Sequence, residues 1–327
     1  MIEQAEIIRK RMNQCGGKRI PFLFGTDFEM SEGFLIENPL EQTEIPFAIG
    51  DITNLKEGQI PKPAGRPGLE ILHSDYPGYQ KKFRIIHEGL MRGNSFLVNL
   101  TEKTPIRPAL TLEQIFIQSQ ARYKLLIPGK LVCFSPECFV RIANGKICSY
   151  PMKGTIDATI PGAEQLLLSN RKELCEHNTI VDLIRNDIST VASQVRVERF
   201  RYIEKIKTFR GEILQTSSEI TGQLSGDYSA RLGDILFELL PAGSISGAPK
   251  PATIGLIRKA EKHPRGFYTG VFGYFDGINL DSAVMIRYIE KEGENYYFRS
   301  GGGITAQSNP EEEYHEILQK IYLPISQ

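Results

Sequence analysis

Apolar residues recur along the chain at two spacings, one helical and one alternating, and the changes between them mark out the elements. Within residues 79–92, Phe83, Ile86 and Leu90 stand three and four positions apart, which lines one helix face with apolar side chains. The same spacing runs through 163–191 in Leu166, Leu167, Leu174, Ile180, Leu183, Ile184 and Ile188. It predicts a helix on which Glu173, Glu176 and His177 share a face. Further helices are predicted at 111–121, around 230–240 and over about 249–262, and the opening MIEQAEIIRKRMNQ is amphipathic and charged. The last helix carries its own start signal: Asn309 can cap it, Pro310 suits the first position, and Glu312 stands where a capping box requires it.

Strand-like pieces fill much of the remainder. PFLFGTDF, GFLIENP and IPFAIG fall within 21–60, followed by SFLVNLT, KLLIPGKLVCFS and CFVRIANGKICSYP, where Asn144-Gly145 predicts a two-residue hairpin turn. VRVERF, SSEITGQL, FYTGVFGYF, DSAVMIRYIE and NYYFRSGGGI come later. Helices and strands mix without strict alternation, so the fold class is α+β, with large, mainly antiparallel sheets flanked by helices. No linker or repeat divides the chain, and residues 1–327 read as a single domain.

The charges balance at 39 Lys+Arg against 39 Asp+Glu, which leaves no net field to recruit nucleic acid or an anionic membrane. No apolar run reaches the roughly 20 residues of a membrane-spanning helix, and the first residues lack a signal-peptide core, so a cytoplasmic setting is expected. Five cysteines without a CxxC pair argue against a disulfide framework or a cysteine zinc site and predict mostly buried thiols.

Candidate chemistry is scattered. Glu173 with Glu176 and Glu313 with Glu316 are carboxylate pairs at i and i+3 on two helices; if the two faces meet, a hard cation such as Mg²⁺ would relieve the repulsion. Solvated helix faces produce the same spacing. The loop PAGSISGAPK sets Gly243, Ser244, Ser246 and Gly247 before a helix, and Ser300-Gly301-Gly302-Gly303 offers backbone that a ligand can approach; tight turns explain both equally well. Lys153, in YPMKGT, is flanked by apolar residues that would desolvate its amine, unless it simply faces solvent. Arg287, within AVMIRYI, either points inward and needs an anion or lies on the strand's wet face. His177 reads as a helix-surface residue, and no hydrolase or zinc motif is present.

Taken in order, PMKGT, KELCEHNTIVDLIRND, PAGSISGAPK, YTGVFGY with IRY, and SGGGITAQSNPEEEYHEILQK resemble the chorismate-utilising enzyme family over about residues 94–320. The resemblance implies a two-lobed sandwich with a shortened β-rich portion at 1–90 and a catalytic portion at 91–327. It further implies Mg²⁺ held by Glu176 and Glu316, with Glu173 and Glu313 reaching metal-bound water. Glu137 matches the general acid. Tyr268, Arg287, Gly301, Gly302, Gly303 and Lys320, with Thr155 and Ser246, match substrate-binding positions. Lysine at 153 marks members that aminate chorismate at C4: its amine attacks C2 as the C4 hydroxyl leaves, and ammonia then enters at C4. The ammonia would come from a glutamine amidotransferase on a separate chain, since no second catalytic domain follows before Gln327. Two departures stand out. Gln215 replaces a histidine common in the family, and Ile156-Asp157 follow GT where an arginine is usual.

Overall fold

Alternating apolar positions produce two antiparallel sheets that share a core. The computed structural model describes residues 2–56, 58, 68–208 and 211–325 of the chain, so the end of the strand-like 21–60 segment lies partly outside the described residues. Among the described residues one sheet has ten strands and the other nine, and every strand pair is antiparallel. This is the α+β architecture that the mixed pattern predicts.

The ten-stranded sheet runs in space from Glu3–Gln4 through Glu32–Glu37, Phe22–Thr26, Val271–Phe275, Leu280–Val284, Cys138–Ala143, Lys146–Ser149 and Gly211–Gln223 to Met152–Asp157, with Ser193–Thr208 also paired to Gly211–Gln223. Centred on Leu97–Pro108, Asn295–Ile304 and Tyr288–Glu292, the nine-stranded sheet continues through Leu131–Ser135 and Tyr123–Ile127 to Phe47–Ile49 and Ile52–Thr53.

Val271–Phe275 is buried on both faces, and its period of two divides it cleanly between two cores. Phe272 and Tyr274 enter the core between the sheets, with Phe47, Tyr123 and Leu125 from the facing sheet. Val271 and Phe275 enter the core under the helices, with Ile180, Ile184 and Ile188. A third cluster covers the outer face of the nine-stranded sheet with Ile115 and Phe116 from the helix Leu112–Gln118. No helix among the described residues is long and apolar enough to cross a membrane.

Local chemistry explains where the elements begin and end. Asn144 and Gly145 both take positive φ, 52° and 73°, and join Cys138–Ala143 to Lys146–Ser149 as the primed turn their sequence predicts. Asn309 caps Pro310–Gln319 by accepting from the backbone N–H groups of Glu311 and Glu312. The reciprocal box expected from Glu312 does not form among the described residues, whereas Thr111 and Gln114 make a complete one. The helix predicted over 163–191 is two helices, Ala163–Ser169 and Arg171–Val191, because Asn170 turns extended and caps the second through the Glu173 N–H. VRVERF and SSEITGQL prove far longer as strands, Ser193–Thr208 and Gly211–Gln223. The part of the second strand that the pattern missed, 211–216, ends in the buried polar Thr216.

Candidate active site

Two breaks carry the chain from one sheet to the other, and each presents a charged side chain to the same cavity. DSAVMIRYIE reads as one strand, yet it divides into Leu280–Val284 in one sheet and Tyr288–Glu292 in the other. Arg287 sits in the break with φ 53°, a conformation costly for a non-glycine residue and typical of functional positions. Leu131–Ser135 likewise hands over to Cys138–Ala143, with Glu137 at the crossing. The two crossings are tied together: Phe134 N–H donates to Arg287 O, and Val284 N–H donates to Glu137 O.

A cavity of about 250 Å³ opens at these crossings, lined by Glu137, Lys153, Tyr268, Arg287, Gly302 and Lys320 among others. Lys153 is brought there by a register irregularity between Lys153 and Thr155, where Gly154 adopts φ 75° and re-aims the strand. Its Nζ donates to Glu176 Oε2 at 3.2 Å, with 28% of the lysine side chain and 20% of the glutamate exposed. The amine therefore faces a cavity and not bulk water.

A second, polar cleft of about 610 Å³ continues from the first through Lys153, Arg287, Gly303, Glu316 and Lys320. Glu173, Glu176, Glu313 and Glu316 all line it, so the two helix faces do meet across one space, with Thr155 at its edge. The donor set is oxygen only, which suits a hard divalent cation. These acids are not drawn into a chelate, however. No three acid, histidine or cysteine side chains among the described residues cluster at metal-binding distance. Lys153 and Lys320 instead engage Glu176 and Glu316, the latter at 2.8 Å, and Ser308 Oγ donates to Glu313 at 2.7 Å.

The electrostatics favour an anionic guest. Lys153, Arg287 and Lys320 converge on the cavity, and Arg287 forms no ion pair among the described residues, lying instead over the Tyr322 ring with a 3.4 Å contact to its hydroxyl. Burial, with Arg287 and Lys153 close by, lowers the Lys320 pKa against the pull of Glu316. Burial raises the Glu137 carboxyl pKa above its ordinary value. The Ser244 hydroxyl bond and the charges of Lys153, Arg287 and Lys320 oppose that rise. Tyr268, pushed up to about 12 chiefly by burial, stays a neutral donor.

The placement of the remaining sequence candidates is mixed. Gly301, Gly302 and Gly303 line the cavity. Ser246 does not: it is fully buried and spends its hydroxyl on Ala242 O at 2.9 Å. Ser244, two residues earlier, faces the cavity and donates to Glu137. Sequence alone does not say which serine of a Gly/Ser loop faces inward. His177 corrects the expectation of a surface histidine. It is fully buried, its Nε2 lies 2.6 Å from Ser218 Oγ, and burial, Arg201 and Lys153 push its pKa down to about 4. Cys15, Cys133 and Cys138 are buried as expected, whereas Cys175 is exposed. Gln215, Leu97 and Asn99 also line the cavity, and of these periodicity singled out none.

Comparison with known proteins gives the family and the fold. The family model described as chorismate binding enzyme matches residues 35–326. An uncharacterized PabA-like protein of Haemophilus influenzae is 50% identical over 321 residues, covering 97% of this chain and 96% of its own. Anthranilate synthase component 1 of Aquifex aeolicus is 38% identical over 200 residues, 58% of this chain and 39% of that protein. Aminodeoxychorismate synthase component 1 of Bacillus subtilis is 31% identical over 261 residues, 75% of this chain and 54% of that protein. The solved menaquinone-specific isochorismate synthase of Escherichia coli superposes with a TM-score of 0.70 at 16% identity, over 97% of this chain and 80% of that one, and shares the fold.

Proposed function

Since the chain belongs to the chorismate binding enzyme family, we propose that it converts chorismate and ammonia to 4-amino-4-deoxychorismate, the reaction of an aminodeoxychorismate synthase component 1. The observation that carries this reading is the Lys153 amine, held inside the cavity against Glu176 with Glu137 on the same wall. With its ammonium proton given up, an amine so placed can act as a nucleophile.

In this reading Glu137, whose carboxyl pKa burial raises, gives its proton to the C4 oxygen as the C4–O bond breaks and water departs. Lys153 Nζ forms a bond to C2, which keeps ammonia from ending there. Ammonia then forms the C4–N bond while the C2–Nζ bond breaks and its electron pair returns to Lys153. Arg287, Lys320, the Tyr268 hydroxyl and the backbone of Gly302 and Gly303 hold the substrate carboxylates. Glu173, Glu176, Glu313 and Glu316 are the residues that would hold Mg²⁺, which would supply positive charge for a substrate carboxylate. The family resemblance implies that hydration to isochorismate needs a lysine base near the strand SFLVNLT, where this chain has Phe96, Leu97 and Val98; the apolar Leu97 on the cavity wall supports amination over hydration.

A separate glutamine amidotransferase chain would deliver the ammonia, in the cytoplasm, toward 4-aminobenzoate and folate. The test is product identification by mass spectrometry after incubation with chorismate, an ammonium salt and Mg²⁺. The aminated, enolpyruvyl-bearing product is expected; anthranilate, isochorismate or unchanged chorismate would reject the assignment.

A further inference from the structure

Glu137 has a second face. Behind it, away from the substrate cavity, lies a small cavity of about 30 Å³ that shares Glu137, Pro151 and Ser244 with the larger one. Its far wall carries Asp187, from the helix Arg171–Val191. A water needs roughly 15 Å³ of such space and two or more polar partners, and Glu137, Ser244 and Asp187 supply them.

Asp187 is fixed in this position. Lys250 Nζ lies 2.9 Å from its Oδ2 and also donates to Leu239 O at 2.7 Å. Gly243 lets the serine loop come close, since a Cβ there would fall 2.9 Å from Asp187 Oδ2. The Asp187 and Lys250 side chains are 19% and 18% exposed, so this end of the path reaches solvent. Lys250 is the cation facing Asp187, while Lys153, Arg287 and Lys320 face Glu137 from the opposite side.

We propose that Asp187 relays protons from solvent to Glu137 through a water held in this small cavity, restoring the acid after each turnover. The proposal rests on the assignment of Glu137 as general acid. In each cycle Glu137 loses one proton to the departing C4 oxygen, and the product nitrogen leaves as an ammonium ion. One proton from solvent then passes to Asp187, the cavity water hands one on to the Glu137 carboxylate, and the water is regenerated. Burial raises the Asp187 pKa against the opposing pull of Lys250, so this carboxyl takes up a proton more readily than an exposed aspartate.

Two measurements test the relay. In steady-state kinetics with chorismate and ammonia, Asp187→Asn should lower kcat about tenfold, short of the loss of the acid itself. KM for chorismate should stay within about twofold, and the solvent deuterium effect on kcat should rise, a change that a structural role alone would not produce. An unchanged kcat, or a fall without a larger isotope effect, overturns the relay. A high-resolution crystal structure of the wild-type chain should show a water hydrogen-bonded to both Glu137 and Asp187, and a dry cavity overturns it whatever the activity. If the wild-type chain leaves chorismate untouched, the parent assignment falls separately while the water still decides the relay geometry.

Discussion

Replacing Glu137 with glutamine isolates one proton. The amide keeps the size of the side chain, and its oxygen can still accept the Ser244 hydroxyl, so the cavity wall should be preserved. What disappears is the acidic proton that the proposed mechanism gives to the leaving oxygen. General acid catalysis of this kind is worth about 10²–10⁴-fold, or about 3–5 kcal/mol of barrier. Glu137→Gln should therefore lower kcat/KM for chorismate by that factor while chorismate binding changes little. In the wild type the rate should fall as pH rises through the elevated Glu137 pKa, and the variant should lose that limb. Ser244→Ala removes a bond that favours the carboxylate, so it should move the limb to higher pH. The stability of Glu137→Gln should move opposite to its activity. A carboxyl whose folded pKa is raised binds its proton more tightly in the folded chain, so stability declines as pH climbs from about 4.5 through the folded value. The amide escapes that decline, and Glu137→Gln should melt higher at neutral pH. Calorimetry and initial-rate assays over pH 4 to 9 read both effects. A variant with more than half the wild-type kcat/KM, or with the limb intact, would refute the role of Glu137.

Arg265, 1% exposed, bonds Glu261 through two nitrogens and also reaches Ile245 O and Asn99 O, tying the serine loop to the cavity strand. Arg265→Met strands the buried Glu261 charge and should cost about 3–5 kcal/mol in urea unfolding, with part regained in the Arg265→Met/Glu261→Met double variant. A Cβ on Gly303 would lie 3.0 Å from Leu97 Cδ1 and 3.9 Å from Lys153 Nζ. Gly303→Ala should therefore raise KM for chorismate several-fold while the melting temperature shifts by only a few degrees, and an unchanged KM would place the substrate elsewhere. Removing divalent cations with a chelator should abolish turnover and added Mg²⁺ should restore it; full activity in the chelator would free the four glutamates of that role.

Much of this architecture can be read from local chemistry. The Asn144-Gly145 turn, the Asn309 cap and the Ile180, Ile184 and Ile188 part of the apolar stripe form as their residues predict, because each depends on neighbours close in sequence, whereas Leu166 of the same predicted stripe is exposed. What escapes is set by distant partners. Nothing local reveals that 285–287 is a crossing between sheets, that Asn170 splits a helix, or that Ser218 draws His177 inward. The carboxylate pairs were legible as spacing, and only the fold shows that they share a cleft with Lys153. The Ser244 bond to Glu137 has no sequence signature at all.

The account centres on Lys153 as a nucleophile, and the mass of the chain quenched during turnover tests that directly. Chorismate with Mg²⁺ but no ammonia, stopped in acid and digested, should leave a chorismate-derived increment on the peptide that contains Lys153. Product formation with that peptide always unmodified, in a chain whose Lys153→Ala variant keeps its full ammonia-dependent rate, would contradict it.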